Sequence, residues 1–519
     1  MRDGYRVLRF WNSDIDQNLT GVLETIDAAL QTKEPHPVAF GDHPPPPGYG
    51  VHGSDSMSVL AVIQGPRQVV SEALMAFGDI RVAERADWLI DRMVALGTVV
   101  LRRIGETRSG EMAVHRFLSS PYVSTENIVT TCAVRTVAQC RGRRILAIQD
   151  TSEINFAGRD KKRRGLGPAG NGKTPGFFIH PVIAVDVETE AVIGLIDATI
   201  WTRRTGKSQP RRDRPFEEKE SARWLSGCTA TAQRLGEAAA VTMVADRESD
   251  IYSLFAHRPV GLDLIVRVAQ NRSLLDGERL FGALHEAPLL ATRKVKVAPR
   301  GPGDKGRIAQ IELRSTPVAI ARPRNGCDGA LPETITMTFL EAREVAPPPG
   351  KTALLWRLLT THAIDTAADA EEMVNLYRLR WRIEQFFRSL KSDGLALEDS
   401  QVIDAERLFN LTAIALAAAI RTIQLVDARD GSPRPASDVV DDDFAVALKR
   451  LSRKLEGATA KQKNPHPPGS LAFVAWIAAR LGGWNCYYGK PGPKTMHVGW
   501  NQLATTLAGY ALATHGQNP

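Results

Sequence analysis

One stretch constrains this chain more than any other: Asp365–Ser392, DTAADAEEMVNLYRLRWRIEQFFRSLKS. It holds no Gly or Pro and is filled with good helix formers, so it predicts one long helix. Asp365 or Thr366 supplies an N-cap. Asp369, Glu371 and Glu372 complement the positive end of the dipole, and Gly394 lies just past the end. At about 100° per residue, with Tyr377 at zero, Glu384 falls at roughly −20°, Lys391 at roughly −40° and Arg380 at roughly −60°. Leu376, Ile383, Phe386, Phe387 and Leu390 form the adjoining apolar stripe. Ion pairing at helical spacing would account for the carboxylate and the cations alone. A tyrosine on the same line suits a narrower chemistry, in which the carboxylate takes a metal while the cations and the phenol take phosphate oxygens.

At 519 residues the chain exceeds a single core, so three or more units are expected. Its 43% apolar content lets most of it fold, and its net charge of +8 suits a polyanionic partner. Five cysteines (Cys132, Cys140, Cys228, Cys327, Cys486) are scattered, with no CxxC or Cys/His cluster, which argues against a disulfide framework and a zinc site. No apolar run reaches about 18 residues. The best, Leu411–Ile420, stops at Arg421 and reads as a buried core helix. With no apolar segment at the N-terminus, a cytoplasmic location and no membrane partner are expected.

Two short apolar strands each end in an acid: ILAIQD, closing on Asp150, and VTMVAD, closing on Asp246. Aspartate is common at strand ends as a turn residue, so either alone says little. Between them, FFIHPVIAVDVETEAVIGLIDATIW reads as a hairpin, and RESDIYSLF after Asp246 reads as helical. Two basic tracts, RDKKRR (159–164, leading into GLGPAGNGK) and RRTGKSQPRRDR (203–214), read as exposed loops suited to tracking a phosphate backbone. GNGK lacks the spacing of a phosphate-binding P-loop. LDLIVRV, ATRKVKVAP, RIAQIELRS and TITMTFLEAR make 251–355 strand-rich, and ALLWRLLTT is a further strand carrying Trp356.

The spacing Tyr377-x2-Arg380-x3-Glu384-x6-Lys391 resembles the signature of a group of bacterial cut-and-paste DDE transposases. RWRIEQFFRSLKS is similar to the Tn-five-like branch of that group, and AIQDTS and ADRESD resemble its other two acidic motifs. FGDIRVAERADWL and AVHRFLSSPYVSTENI look like its N-terminal DNA-binding domain. The resemblance covers roughly residues 70–515. It implies an α/β fold: an RNase H-like catalytic core with a β-sheet insertion, flanked by helical N-terminal and C-terminal domains. The units expected are an extension at 1–56, a helical DNA-end-binding domain at 68–140, a catalytic domain at 141–400 with the insertion near 251–355, and a helical dimerisation domain at 401–519. Within that last unit, 449–469 (KRLSRKLEGATAKQKNPHPPG) reads as a loose basic linker before two apolar helices.

The resemblance also implies roles. Asp150, Asp246 and Glu384 would hold two Mg²⁺ (or Mn²⁺) ions; Tyr377, Arg380 and Lys391 would contact DNA near the scissile bond. Trp356 would fill the space left by a base flipped out during hairpin formation, and Trp381 is ambiguous. Arg81, Arg85 and Arg116 would contact the element's end. Partners would be double-stranded DNA, at the element ends and the target, and a second copy of the chain in a synaptic complex. An alternative is a catalytically inactive or inhibitory transposase-derived DNA-binding protein. A stand-alone RNase H-like nuclease would explain the acids but not the flanking regions. Residues 1–33 resemble the tail of a very-short-patch-repair-like endonuclease family, and 34–56 are rich in Pro and Gly, which predicts disorder. Met57 is a second candidate start.

Overall fold

The computed structural model describes residue 77 and residues 79–515, apart from 157–162, 171, 173, 204–215, 298–305, 325–329, 392–393, 430, 432–433, 441 and 488–489. The expectations for residues 1–57, and for most of the two basic tracts, lie outside the described residues.

Among the described residues four helices come first: α1 (Ile80–Leu96), α2 (Leu101–Gly105), α3 (Arg108–Leu118) and α4 (Thr125–Cys140). Their starts follow from local chemistry, since Asp79, Thr107 and Ser124 each accept a backbone N–H in the first turn of the helix that follows. Gly97 stops α1 in a left-handed conformation with φ 60°, which costs a glycine nothing.

Among the described residues, eleven strands then form one continuous sheet. They are β1 (Arg144–Gln149), β2 (Ser152–Asn155), β3 (Gly167–Ala169), β4 (Thr174–Asp186), β5 (Val192–Trp201), β6 (Ala240–Ala245), β7 (Leu262–Arg267), β8 (Leu289–Val297), β9 (Arg307–Ala321), β10 (Thr334–Val345) and β11 (Leu355–Thr360). The path runs β2-β4-β1-β6-β7-β11-β10-β9-β8, with β3 and β5 also paired to β4. The strand-rich region at 251–355 therefore extends the central sheet. β7 pairs parallel to β6, and β11 joins antiparallel to β7. β4 and β5 form the expected antiparallel hairpin.

Side-chain parity along β1 and β6 separates two cores. Leu146, Ile148 and Val244 belong to one, with Ile383 and Phe386; Ile145, Ala147, Met243 and Ala245 belong to the other, with Trp224 and Cys228. Side chains alternate across a strand, so each strand feeds both layers. Helix α5 (Ala222–Arg234) covers the second face. The helices α7 (Ala367–Arg378), α8 (Trp381–Leu390) and α9 (Ala405–Ala428) contribute to the first. The short α6 (Tyr252–Ala256) follows β6, and α10 (Ala445–Leu455), α11 (Leu471–Leu481) and α12 (Pro493–His515) complete the chain.

The structure corrects the sequence reading at three places. The long helix at 365–392 is two helices. Around Leu379 and Arg380 the backbone tightens, with Arg380 N–H donating to the Tyr377 carbonyl and Ile383 N–H to the Arg380 carbonyl, three residues apart rather than four. The Thr366 cap is real and is a reciprocal one with Asp369. RESDIYSLF is a 3-10 turn (Arg247–Ser249) and then α6. Asp250 interrupts it because its buried carboxylate accepts from the backbone of Ala269 and Gln270 and from Arg272. The basic stretch KRLSRKL is not linker but most of α10; Ala447, Leu448 and Ser452 bury one face and leave the cations outside. Helix α9 runs through Arg421, which pairs with Asp91 of α1, and continues to Ala428. By length and composition α9 is long and apolar enough to cross a membrane, yet 83% of its most apolar window is buried inside the protein.

Candidate active site

The two aspartates reach one place because of register. β1 and β6 pair parallel, with Ile148 opposite Val244, so Asp150 and Asp246 emerge at the same level two residues later. Parity then sets their direction. Both share the face of Ile148 and Val244, which is the face that α8 covers with Ile383 and Phe386. Each carboxylate is oriented by a backbone N–H: Thr151 donates to Asp150 Oδ1 at 2.7 Å, and Glu248 donates to Asp246 Oδ1 at 2.8 Å. Asp246 thereby caps the Arg247–Ser249 turn.

Glu384, in the first turn of α8, closes the group, and Arg380 one turn earlier mediates the contact. Arg380 Nη1 donates to Asp150 Oδ2 at 3.0 Å, and its Nη2 donates to Glu384 Oε1 at 2.5 Å. These side chains are largely sheltered, with exposures of 14% for Arg380, 18% for Asp150 and 29% for Glu384. Burial, with the negative field of Asp246 and a smaller one from Glu384, pushes the Asp150 carboxyl up to about 7. The Arg380 guanidinium is shared by two of the carboxylates and offsets their charge. Among the described residues no group of three or more His, Cys, Asp or Glu stands assembled as a metal cage.

Tyr377 and Trp356 adjoin this centre. Trp356 on β11 meets the Tyr377 ring edge-on, with centroids 5.3 Å apart. The Tyr377 hydroxyl is buried and makes no hydrogen bond of normal geometry among the described residues; burial raises its pKa. Lys391, at the end of α8, turns toward β2 and donates to the Glu153 carbonyl at 2.5 Å, its pKa lowered by burial. It touches none of the three acids in any described contact. Trp381 opens α8 with 53% of its surface exposed. Arg81, Arg85 and Arg116 stand elsewhere, on α1 and α3. Arg81 is exposed and paired with Asp79, Arg85 lies 5.1 Å from the Trp88 ring centroid, and Arg116 is exposed.

A set of residues that the sequence did not suggest lies on the opposite face, under the aspartates. Arg223 of α5 donates from Nε to Thr151 Oγ1 at 2.8 Å, from Nη2 to Glu248 Oε2 at 2.7 Å and from Nη1 to the Glu220 carbonyl at 2.6 Å. Thr151 Oγ1 lies 2.9 Å from His180 Nδ1, and His180 Nε2 lies 3.1 Å from Gln149 Oε1. Gln149 Nε2 donates to the Trp224 carbonyl at 3.3 Å. The direction of this chain is fixed. The Trp224 carbonyl only accepts, so Gln149 gives it the amide N–H and turns Oε1 to His180, which carries its hydrogen on Nε2; Nδ1 of the neutral ring then accepts from the Thr151 hydroxyl. Burial holds His180 well below its usual pKa, as a neutral ring requires. Gly227 makes room for the chain, since a Cβ there would stand 2.5 Å from Gln149 Oε1. Nothing in the local sequence signals this set, because Arg223 is 72 residues from Thr151 along the chain.

Residues 148–421, more than half of the chain, match the family model described as "Transposase DDE domain". The match begins within β1, two residues before Asp150, and ends within α9, so it contains Asp150, Asp246 and Glu384. Acids brought together by strand register and a covering helix, inside a span that fits this family, lead to one conclusion: the chain belongs to the DDE transposases, enzymes of transposition whose substrate is DNA.

Proposed function

We propose that this transposase works by a cut-and-paste mechanism, as a member of the group carrying the Tyr-Arg-Glu-Lys signature, and that its core is RNase H-like. The observation that carries the reading is the emergence of Asp150 and Asp246 at one register level on the face that α8 covers with Glu384. The local strand order β5-β4-β1-β6-β7, antiparallel through β1 and parallel after it, supports the RNase H-like reading.

The donor set fits divalent ions. Three carboxylates are hard oxygen ligands of the kind Mg²⁺ and Mn²⁺ take. Asp150, Asp246 and Glu384 would hold two such ions, which would supply charge stabilisation to an in-line phosphoryl transfer. The remaining work falls to this chain's own groups. Arg380, charged at every working pH, would exchange its carboxylates for the phosphate beside the scissile bond. Lys391 would leave the Glu153 carbonyl for a neighbouring phosphate. Tyr377 would contact DNA, not attack it, since the freed 3′-OH of one strand attacks the other and no covalent protein–DNA bond is needed. Trp356 would fill the space of a flipped base while the DNA hairpin forms. Arg81, Arg85 and Arg116 would position the element's end through its backbone. Two copies would pair across DNA in a synaptic complex through the C-terminal helices, in the bacterial cytoplasm at the nucleoid.

The test is cleavage of a duplex bearing the element's own end, with Mg²⁺, with Ca²⁺ and with Glu384→Gln. A double-strand cut through a hairpin, lost in the variant, is expected. End binding without cleavage in Mg²⁺ or Mn²⁺ would refute the catalytic reading.

A further inference from the structure

We infer that Arg223 is a positioning residue for the catalytic carboxylates, acting through the sheet from the face opposite the DNA: one guanidinium holds Thr151 and Glu248, whose backbone N–H groups orient Asp150 and Asp246. The inference rests on the reading of Asp150 and Asp246 as metal-holding acids.

The arrangement is matched on its two sides. Arg223 Nε reaches Thr151, and the Thr151 N–H reaches Asp150 Oδ1. Arg223 Nη2 reaches Glu248, and the Glu248 N–H reaches Asp246 Oδ1. The two limbs differ in strength. Glu248 is 63% exposed, so water competes for that ion pair. The Thr151 limb is sheltered and continues into the buried chain through His180 and Gln149 to the Trp224 carbonyl. That chain returns to α5 one residue after Arg223, so the helix that supplies the guanidinium also anchors the far end. Arg223 is itself held: its side chain is 12% exposed, its Nη1 donates to the Glu220 carbonyl, and its guanidinium lies 5.5 and 5.3 Å from the Trp201 and Trp224 ring centroids. None of these atoms contacts a reacting group. Arg223 fixes which lone pairs Asp150 and Asp246 present to the cleft, as the outer partners of metal ligands do.

The test uses the full chain with Arg223→Gln, Arg223→Lys, Thr151→Val, Thr151→Ser and Asp150→Ala. Three readouts are taken: thermal midpoint in EDTA, binding to an end-bearing duplex in EDTA, and Mn²⁺ binding by calorimetry without DNA. Arg223→Gln is expected to weaken Mn²⁺ binding by about tenfold or more, the usual cost of losing an outer partner, and to leave end binding within about twofold. Arg223→Lys should recover only part, because an ammonium cannot span both limbs. Thr151→Val should weaken Mn²⁺ binding and Thr151→Ser should not; this pair carries the test if Arg223→Gln fails to fold. A folded Arg223→Gln with unchanged Mn²⁺ binding overturns the inference, as does a Thr151→Val that behaves like Thr151→Ser. If Asp150→Ala abolishes Mn²⁺ binding while those variants do nothing, this inference alone fails. If the wild type binds no Mn²⁺, the metal reading fails with it.

Discussion

Asp150 and Asp246 stand side by side because their strands do: β1 and β6 are parallel partners, and the register that sets Ile148 against Val244 carries both acids out at one level. Neither residue needs a loop to place it. Each comes directly off a strand buried at every residue but its first, and a backbone N–H nearby in sequence holds its carboxylate.

Glu384→Gln should keep the fold and the end binding and lose cleavage. The amide is isosteric and keeps an oxygen that Arg380 can reach, but it removes the negative charge of a metal ligand. A fall of about 10²–10³-fold in first-strand nicking is expected, the range for removing one electrostatic stabiliser of a transition state. Single-turnover nicking alongside a mobility shift in EDTA checks it; nicking at the wild-type rate would exclude a metal role for this acid.

Arg380→Ala should destabilise the metal-free protein and make it more responsive to Mn²⁺. The guanidinium is largely buried between two carboxylates, and removing one side of such a contact costs about 3 kcal/mol or more. The variant's thermal midpoint should drop in EDTA and rise more with Mn²⁺ than the wild type's. Equal responses to Mn²⁺ would mean that Arg380 does not substitute for a cation.

Gly227→Ala should be costly although the change is one methyl group. The new Cβ would press on Gln149 Oε1 at 2.5 Å and on Val182 at 3.2 Å, both fully buried. Overpacking of this kind costs about 1–3 kcal/mol, read as a lower urea midpoint. A neutral result would show that α5 can move away from the sheet.

Asp91 gives a pH signature away from the active site. Burial raises its carboxyl from 3.8 to about 6 despite Arg421 beside it. The native state therefore holds a proton that the unfolded chain releases, and stability from this group is complete below about pH 4 and is lost as pH climbs through about 6. Asp91→Asn cannot titrate, so the difference between variant and wild type should grow in the variant's favour from pH 4 to 6 and then level. Urea midpoints across that range measure it, and parallel profiles would rule out a raised Asp91.

Trp356→Ala should slow hairpin formation more than first-strand nicking, since the ring packs on Tyr377 beside the carboxylates and not on them. Equal slowing of both steps would assign Trp356 to packing alone.

Much of the site was legible because its signals are local. Acid-ending strands and a helical acid with its cations can be read from short windows, and Asp150 and Glu384 do meet at Arg380, although the break in the helix takes Lys391 off the projected line to β2. The reading overran where tertiary contacts decide. The tightened turn at Leu379–Arg380 leaves no trace in composition, since both residues are good helix formers. KRLSRKL looks like linker because its charges outnumber its leucines, although one apolar face is enough for a helix that packs. Thr151, His180, Gln149 and Arg223 were invisible for a different reason. Their meaning lies in hydrogen bonds between β1, β4 and α5, and no window of sequence contains all three elements.

The pairing of β1 with β6 also acts as a gauge. Neighbouring strands are held about 4.8 Å apart by the backbone ladder, a spacing that no side-chain choice alters. One edge of the triangle formed by Asp150, Asp246 and Glu384 is therefore rigid, and the third corner rides on a helix entered through a short, tightened turn. The baseline of the three acids is thus set by backbone pairing, whereas the place of Glu384 is set separately, by the turn through which the chain enters α8.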